Sequence, residues 1–314
     1  MDANLSHWKL HGQSFLSRLR IWIDLIDPLL LSPSDDEIQE AHARLGSGEK
    51  LNEKDGRVPA LSLSSVHADT GATLPLVFRP PAFLLLSAPL VICSSSPHSN
   101  VRAALFWQLL FQSYVAGFNL ANRNSSSEQG GKKLSSKQLL LTAGTVSYVT
   151  CAGALPQIFM NRLRITSPPI QTFFKSVLPI PLSAALAFFS VYAVRSEESE
   201  TGIRVFDADG NPVGFSKAAG GKAVRETAFS RAVLFGATAA VPNLLALLLR
   251  RRLLQRSPIT GSLLMNTNRF FVLGLMIPFS FSLCPQLGAI KKEKVEEELR
   301  TEAGDGQLYY HRGL

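Results

Sequence analysis

Apolar residues fall in blocks along the chain, separated by short polar or charged stretches. Five blocks are candidate membrane spans, near 78–93, 139–159, 177–194, 228–249 and 270–287. About 20 apolar residues cross a hydrocarbon core as a helix. The later four blocks meet that length, and the first is short and interrupted by Pro80, Pro81 and Pro89. Pro156, Pro242, Pro278 and Pro285 fall in or beside the other blocks, and Pro179 and Pro181 open the third. A proline inside a span removes a backbone hydrogen bond, and the freed carbonyl needs neighbours or water. The pattern predicts broken helices around a cavity, hinged at Pro242 and Pro278.

A further stretch, 101–122, is apolar but carries Gln108, Gln112, Asn119 and Asn122. At about 100° per residue these amides fall within roughly 80° of one helix face, with Val115 between them. Such a stripe either lines a path for an uncharged or zwitterionic solute or bonds one helix to another. The stretch is a sixth span or an interfacial helix.

The polar parts have their own organisation. Residues 1–77 form an amphiphilic N-terminal region. Phe15, Leu19, Ile23 and Ile26 have helical spacing that Pro28 stops. Ser34 precedes Asp35-Asp36-Glu37, a helix start with acids in its first turn. Residues 125–137 read as a flexible Ser/Gly/Lys-rich loop. In the loop before the fourth span, Ile203-Arg204-Val205-Phe206 and Pro212-Val213-Gly214 flank Asp209-Gly210, which reads as a β-hairpin. A transmembrane region over 78–290 is then followed by a tail, 291–314, containing a short charged helix. Five spans place the termini on opposite sides. The basic loops around Arg162 and Arg164, and around Arg250, Arg251, Arg252 and Arg256, then put the N-terminus in the cytoplasm or matrix.

Composition narrows the class. Hydrophobic residues make up 46% of the 314 and charged residues only 18%, which points to a membrane protein. The net charge of +8 lies largely beside apolar blocks, where it anchors helices at headgroups, and no nucleic-acid motif accompanies it. Cys93, Cys151 and Cys284 are far apart, in neither a disulfide framework nor metal-ligand spacing. Asp207-Ala208-Asp209-Gly210-Asn211 fails as a calcium loop, because Pro212 and Ala218 replace its required Gly and Glu. Gly220-Gly221-Lys222 lacks the rest of a phosphate loop. The six histidines have no metal-site spacing, so no cofactor and no metal is expected. The later four blocks hold no Asp, Glu, Lys or Arg in their central parts, and Lys175 and Arg231 are placed near span entrances. A proton-driven pump needs an embedded ionisable relay, so a facilitator or exchanger of a neutral or zwitterionic solute fits better. His67-Ala68-Asp69-Thr70-Gly71 precedes the first block, either as an Asx-type turn or as a polar gate with Asp69 open to an ammonium.

Several motifs together resemble the sideroflexin family of mitochondrial inner-membrane proteins over nearly the whole chain. Phe15-Leu16-Ser17-Arg18 followed by Ile26-Asp27-Pro28 resembles its F-x-G-R … T-D-P pattern. His67-Ala68-Asp69-Thr70-Gly71-Ala72 resembles its H-P-D-T-G-E signature. Trp107-Gln108, Gln112-Ser113-Tyr114, Asn119 and Asn122-Arg123-Asn124 resemble its W-Q … Q-S-[FY]-N-A … N-Y-x-N-R block. Ser17, Ile26, Ala68, Ala72 and Val115 depart from these patterns, which marks a divergent member. Gly202–Ser216, Ser230-Arg231 and the Tyr309-Tyr310-His311-Arg312-Gly313-Leu314 ending also align in style.

The resemblance implies an all-α, polytopic helical membrane protein of about five spans. It further implies a multi-pass carrier in the mitochondrial inner membrane, moving serine or similar small amino acids for one-carbon metabolism. On this reading the protein is not an enzyme. The expected path residues are His67, Asp69, Thr70, Gln108, Gln112, Ser113, Asn119, Asn122 and Arg123, with Asp69 or Arg123 holding the charged ends of the zwitterion. Its partners would be the amino acid, the lipid bilayer and other inner-membrane proteins. The rival expectation is a non-transporting scaffold or assembly factor of that membrane.

Overall fold

The computed structural model describes residues 3–47, 56–124, 135–163, 167–249, 258–302 and 306–314. The expected flexible loop after Asn124 therefore lies mostly outside the described residues, as do Arg164, Arg250, Arg251, Arg252 and Arg256. The N-terminal region folds as α1 (Ala3–His11), α2 (Phe15–Leu25), α3 (Asp35–Gly46) and α4 (Arg57–Ser65). The start signals act as expected. The Ser34 hydroxyl accepts from the Glu37 amide, and the Glu37 carboxylate accepts from the Ser34 amide, closing a capping box.

Six longer helical segments follow: α5 (Pro80–Ser95), α6 (Val101–Ala121), α7 (Ser136–Arg162), a rod over 168–194, α11 (Lys217–Leu249) and α12 (Pro258–Ser282). The rod comprises α8 (Pro168–Thr172), a π-helical turn (Phe173–Val177) and α9 (Pro179–Val194). Three segments are long and apolar enough to cross a membrane: Ser136–Arg162, Pro168–Val194 and Lys217–Leu245. Each segment packs on the next, and α12 returns to α5, which closes a ring in the order α5, α6, α7, α9, α11, α12. The outer faces present Leu140, Tyr148, Phe188, Phe229, Phe271 and Leu275, all exposed and apolar, while Ser87, Gln112, Asn119, Thr150, Ser190 and Arg231 are buried inside. Apolar outside and polar inside is the arrangement that suits lipid.

Two expectations change. The helices are not broken: α5, α7, α11 and α12 run continuously through Pro89, Pro156, Pro242 and Pro278. Each proline still frees the carbonyl four residues before it. The termini also lie together. Because α6 is a full member of the ring, the chain traverses the bundle six times, and the N-terminal helices, the α6–α7 and α9–α11 connections and the C-terminus share one end. Cross-links fix this. Arg18 Nε donates to the Ser282 carbonyl (2.9 Å), the Leu314 amide donates to the Asn122 carbonyl (3.1 Å), and Lys137 pairs with Glu200 (2.9 Å). The expectation that the termini lie on opposite sides therefore gives way.

The expected hairpin is present as β1 (Ile203–Phe206) and β2 (Pro212–Ser216). It is part of a larger sheet. β3 (Leu287–Lys291) and β4 (Gln307–His311) extend it in the order β2-β1-β4-β3, all antiparallel. The tail does contain a short charged helix, α10 (Ser196–Thr201) being its counterpart before the sheet and α13 (Glu297–Glu302) the tail's own. Its aromatic segment Leu308-Tyr309-Tyr310 is a strand, with Leu308 and Tyr310 in the sheet's core beside Ile203 and Val205.

This capped end is fastened by a buried ion pair. Arg195, at the end of α9, donates through Nη2 to Glu198 Oε2 (2.8 Å) and to the Arg312 carbonyl (2.7 Å). Asn124 Nδ2 reaches the same Glu198 oxygen (2.8 Å). Both charged side chains are fully enclosed, at 0% and 1% exposure. Removing one member of such a pair strands the other charge and costs about 3–5 kcal/mol. Glu198→Ala is expected to destabilise the protein by that amount in detergent, measured by chemical or thermal unfolding, with Glu198→Asp losing less. Protease-sensitive tags placed at the two ends are expected to be cut together from one face of sealed vesicles. Cleavage from opposite faces would contradict six traverses.

Candidate functional site

The ring encloses a cavity of about 580 Å³ that lies in the half of the bundle away from the capped end. Its wall at the end opposite the cap comes from Ser94–His98 at the α5–α6 turn, Gln157 and Asn161 on α7, and Gln171 and Lys175 at the start of the rod. Deeper in stand Gln108, Gln112 and Val115 of α6, Thr238 and Asn243 of α11, and Arg269 of α12. The lining has two cationic side chains, Lys175 and Arg269, and no carboxylate among the described residues.

Local structure places these groups. The π-helical turn Phe173–Val177 widens the rod and sets Phe174 and Lys175 against the cavity. Gln108 reaches across α7 because Gly153 has no side chain: a Cβ there would stand 2.9 Å from Gln108 Oε1. Gln108 Nε2 donates to the Ser94 carbonyl (3.4 Å), while its buried oxygen has no protein partner. Asn161 Nδ2 and Gln157 Nε2 both donate to the His98 carbonyl, at 2.8 and 3.2 Å, which holds the α5–α6 turn against α7. Arg269 Nη1 donates to Asn266 Oδ1 (2.9 Å). Pro156 lines the cavity, and Pro242 frees the carbonyl of Thr238, another lining residue.

The amide stripe therefore divides. Gln108 and Gln112 face the cavity with Val115. Asn119, one turn further, is wholly buried and donates to the Val115 carbonyl of its own helix (2.8 Å). Asn122 caps the helix, donating to the carbonyls of Phe118 and Phe78, each at 2.9 Å. Ser113 is exposed on the outside of α6.

The remaining expected residues sit at the capped end. His67, Asp69 and Thr70 belong to a tight loop in which Gly71 has φ +65° and its amide donates to the His67 carbonyl (2.9 Å). His67 Nε2 donates to the Arg123 carbonyl (2.7 Å), and His67 Nδ1 accepts from the Asp69 amide (3.3 Å). Thr70 is exposed. Arg123 pairs with Glu197 (2.7 Å). None of these four lines the large cavity; His67 instead borders a second cavity of about 40 Å³ with Trp22, Asn122, Gln286 and His311. Sequence reading missed Arg269, Asn243, Gln157, Asn161 and Lys175 as lining groups. The signal was there for Arg269, an arginine one residue before an apolar run, and for the polar residues at the ends of the spans.

The capped end also holds a pH-sensitive contact. His311 Nδ1 donates to Asn124 Oδ1 (3.0 Å), and its Nε2 accepts from Gln286 Nε2 (3.1 Å). Burial, and then His67, Arg195 and Arg312, push the His311 ring well below its ordinary value of 6.5. The folded protein thus binds fewer protons here than the unfolded chain once the pH falls below about 6.5. Stability present above that pH is lost progressively as acid is added. Thermal unfolding in detergent is expected to move to lower temperature from pH 7.5 to 5, and His311→Asn is expected to flatten that dependence. An identical slope in the variant would contradict the assignment.

Comparison with known proteins follows the same outline as these features. The sideroflexin family model matches residues 2–314. Sideroflexin-4 of Danio rerio is 51% identical over 318 residues, covering 100% of both chains. Sideroflexin-4 of Mus musculus is 34% identical over 321 residues, again covering 100% of both, and human sideroflexin-5 is 29% identical over 96% of this chain and 90% of its own. No solved structure matches. A ring of helices, three of them long and apolar enough to cross a membrane, together with the Trp107-Gln108 and His67–Gly71 motifs and a family-model match over residues 2–314, makes this chain a member of the sideroflexin family.

Proposed function

We propose that the protein carries a small neutral amino acid, serine-like in size and polarity, across the mitochondrial inner membrane, where it would supply one-carbon metabolism. The observation that carries this reading is the cavity: about 580 Å³, inside a ring of helices of which three are long and apolar enough to cross a membrane, with amides and two cations in its wall and no carboxylate among the described residues. Arg269 and Lys175 suit the carboxylate of a zwitterion, since charge-assisted hydrogen bonds are the strong ones. The amide oxygens of Gln108 and Gln112, both on the cavity wall, suit its ammonium and hydroxyl.

The second reading is a scaffold or assembly factor of the same membrane. The residues that favour it are His67, Asn122 and Arg123, whose polar groups fasten the capped end rather than face a solute. The departures at Ala68, Ala72 and Val115 fall within the same family-like motifs.

Uptake of labelled serine into proteoliposomes separates the two. The carrier reading predicts saturable uptake, reduced about tenfold or more by Arg269→Gln and by Gln112→Leu, from the 1.5–3 kcal/mol carried by a hydrogen bond to a charged group. Uptake equal to that of empty liposomes for all small neutral amino acids, with stoichiometric co-purification of an inner-membrane complex, would favour the scaffold.

A further inference from the structure

Arg231 is not at a span entrance. It lies fully buried in the interior of α11, at 1% exposure. Its guanidinium carbon stands 4.1 Å from the ring centre of Phe281, 5.7 Å from Phe118 and 5.9 Å from Phe83. Its Nε and Nη2 have no protein partner. Three aromatic faces attract a cation, but they leave its Nε and Nη2 without acceptors. A charge within a bundle interior is costly, and its usual explanation is a solute path.

Its position relates it to the cavity. Phe235, one turn along α11 from Arg231, lines the cavity, as does Val115, one turn from Phe118 and Asn119. Arg231 and its aromatic cage therefore form the floor that closes the cavity toward the capped end. Other polar atoms in and below this floor are equally unpaired: Asn119 Oδ1, Ser190 Oγ, Thr227 Oγ1 and, further on, Trp22 Nε1. Ser190 is one turn beyond the lining residue Leu186, and Trp22 borders the 40 Å³ cavity at the capped end. Buried polar groups in native proteins are overwhelmingly paired. A column of unpaired ones, running from one cavity toward the other, is the pattern of a route that is shut in this conformation.

We infer that Arg231 is a second solute-binding group, on the closed half of the same path, and that it takes the carboxylate of the solute when the bundle opens toward its capped end. This inference rests on the carrier reading. It assigns two successive carboxylate sites: Arg269 with Lys175 in the open cavity, and Arg231 below its floor. Opening requires Phe83, Phe118 and Phe281 to part, which exposes the guanidinium and the hydroxyls of Ser190 and Thr227 together.

Thiol labelling tests it without relying on transport. In a background with Cys93, Cys151 and Cys284 replaced by alanine, Ser190→Cys and Thr227→Cys place thiols in the column. Each variant, in proteoliposomes, is treated from the capped-end face with an anionic and with a cationic methanethiosulfonate reagent. The expected result is labelling in which the anionic reagent reacts about tenfold faster, as attraction to a nearby guanidinium requires, and loss of that preference in Arg231→Gln. Arg231→Lys should keep it. Thiols that stay unlabelled from both faces would overturn the inference and make the floor a static plug. Labelling with no charge preference, or with a preference that survives Arg231→Gln, would overturn the role of Arg231. Serine uptake in the same vesicles tells the failures apart. Uptake with unlabelled thiols leaves the carrier reading standing and removes the inner site. An Arg231-dependent preference without serine uptake keeps the inner site and points to another carboxylate as the solute.

Discussion

A ring of helices in lipid can enclose polar groups only if each is paired or opens to water. That constraint divides this molecule into two halves. At the capped end pairing is dense: Arg195, Glu198, Asn124, His311, Gln286 and Arg312 form one connected network that joins the end of α9, the end of α6 and the C-terminal strand. At the other end the polar groups of α6, α11 and α12 line a cavity. Between them stands an aromatic floor whose own polar atoms are neither paired nor open. The architecture follows from how these three zones are arranged along the helices.

The capped end explains why the chain carries so much structure outside the bundle. Four N-terminal helices and a four-stranded sheet cover the ends of the spans. Arg18 bonds the last turn of α12, His67 bonds the end of α6, and Leu314 bonds the same segment. The tryptophans add a bridge: Trp8 packs on Trp22 at 5.7 Å, and Trp22 meets the edge of Phe281 at 5.0 Å. Phe281 is also the nearest aromatic face to Arg231. The N-terminal helices are thus packed directly against the aromatic floor.

Much of the fold was legible in the chain. Hydrophobic blocks of membrane length, the Ser34–Glu37 capping box, the Pro28 stop and the Asp209-Gly210 hairpin are local signals, and local signals survive folding. The sheet's other half was not legible, because β3 and β4 are separated from the hairpin by α11 and α12 and their pairing is a long-range event. Nor were the two ends of the bundle. The amides at Gln108 and Asn122 have the same helical phase, but fourteen residues set them about 21 Å apart along the axis, and phase says nothing of depth. Arg231 was misplaced for a related reason: α11 begins at Lys217, well before its apolar run, so a residue at the edge of the hydropathy block sits deep in the helix. The prolines were read as breaks because their local cost is real. The surrounding helices over-determine the backbone, and α11 and α12 pass through unbroken.

The central claim is that the cavity between α6, α11 and α12 is where the solute binds. A cryo-electron microscopy map of the protein in lipid nanodiscs with saturating serine tests it most directly. The account predicts density for the amino acid against Gln112 with its carboxylate at Arg269 or Lys175, and absent from a map made without serine. A cavity filled with acyl chains in both maps, or serine density only at the exposed surface, would contradict it.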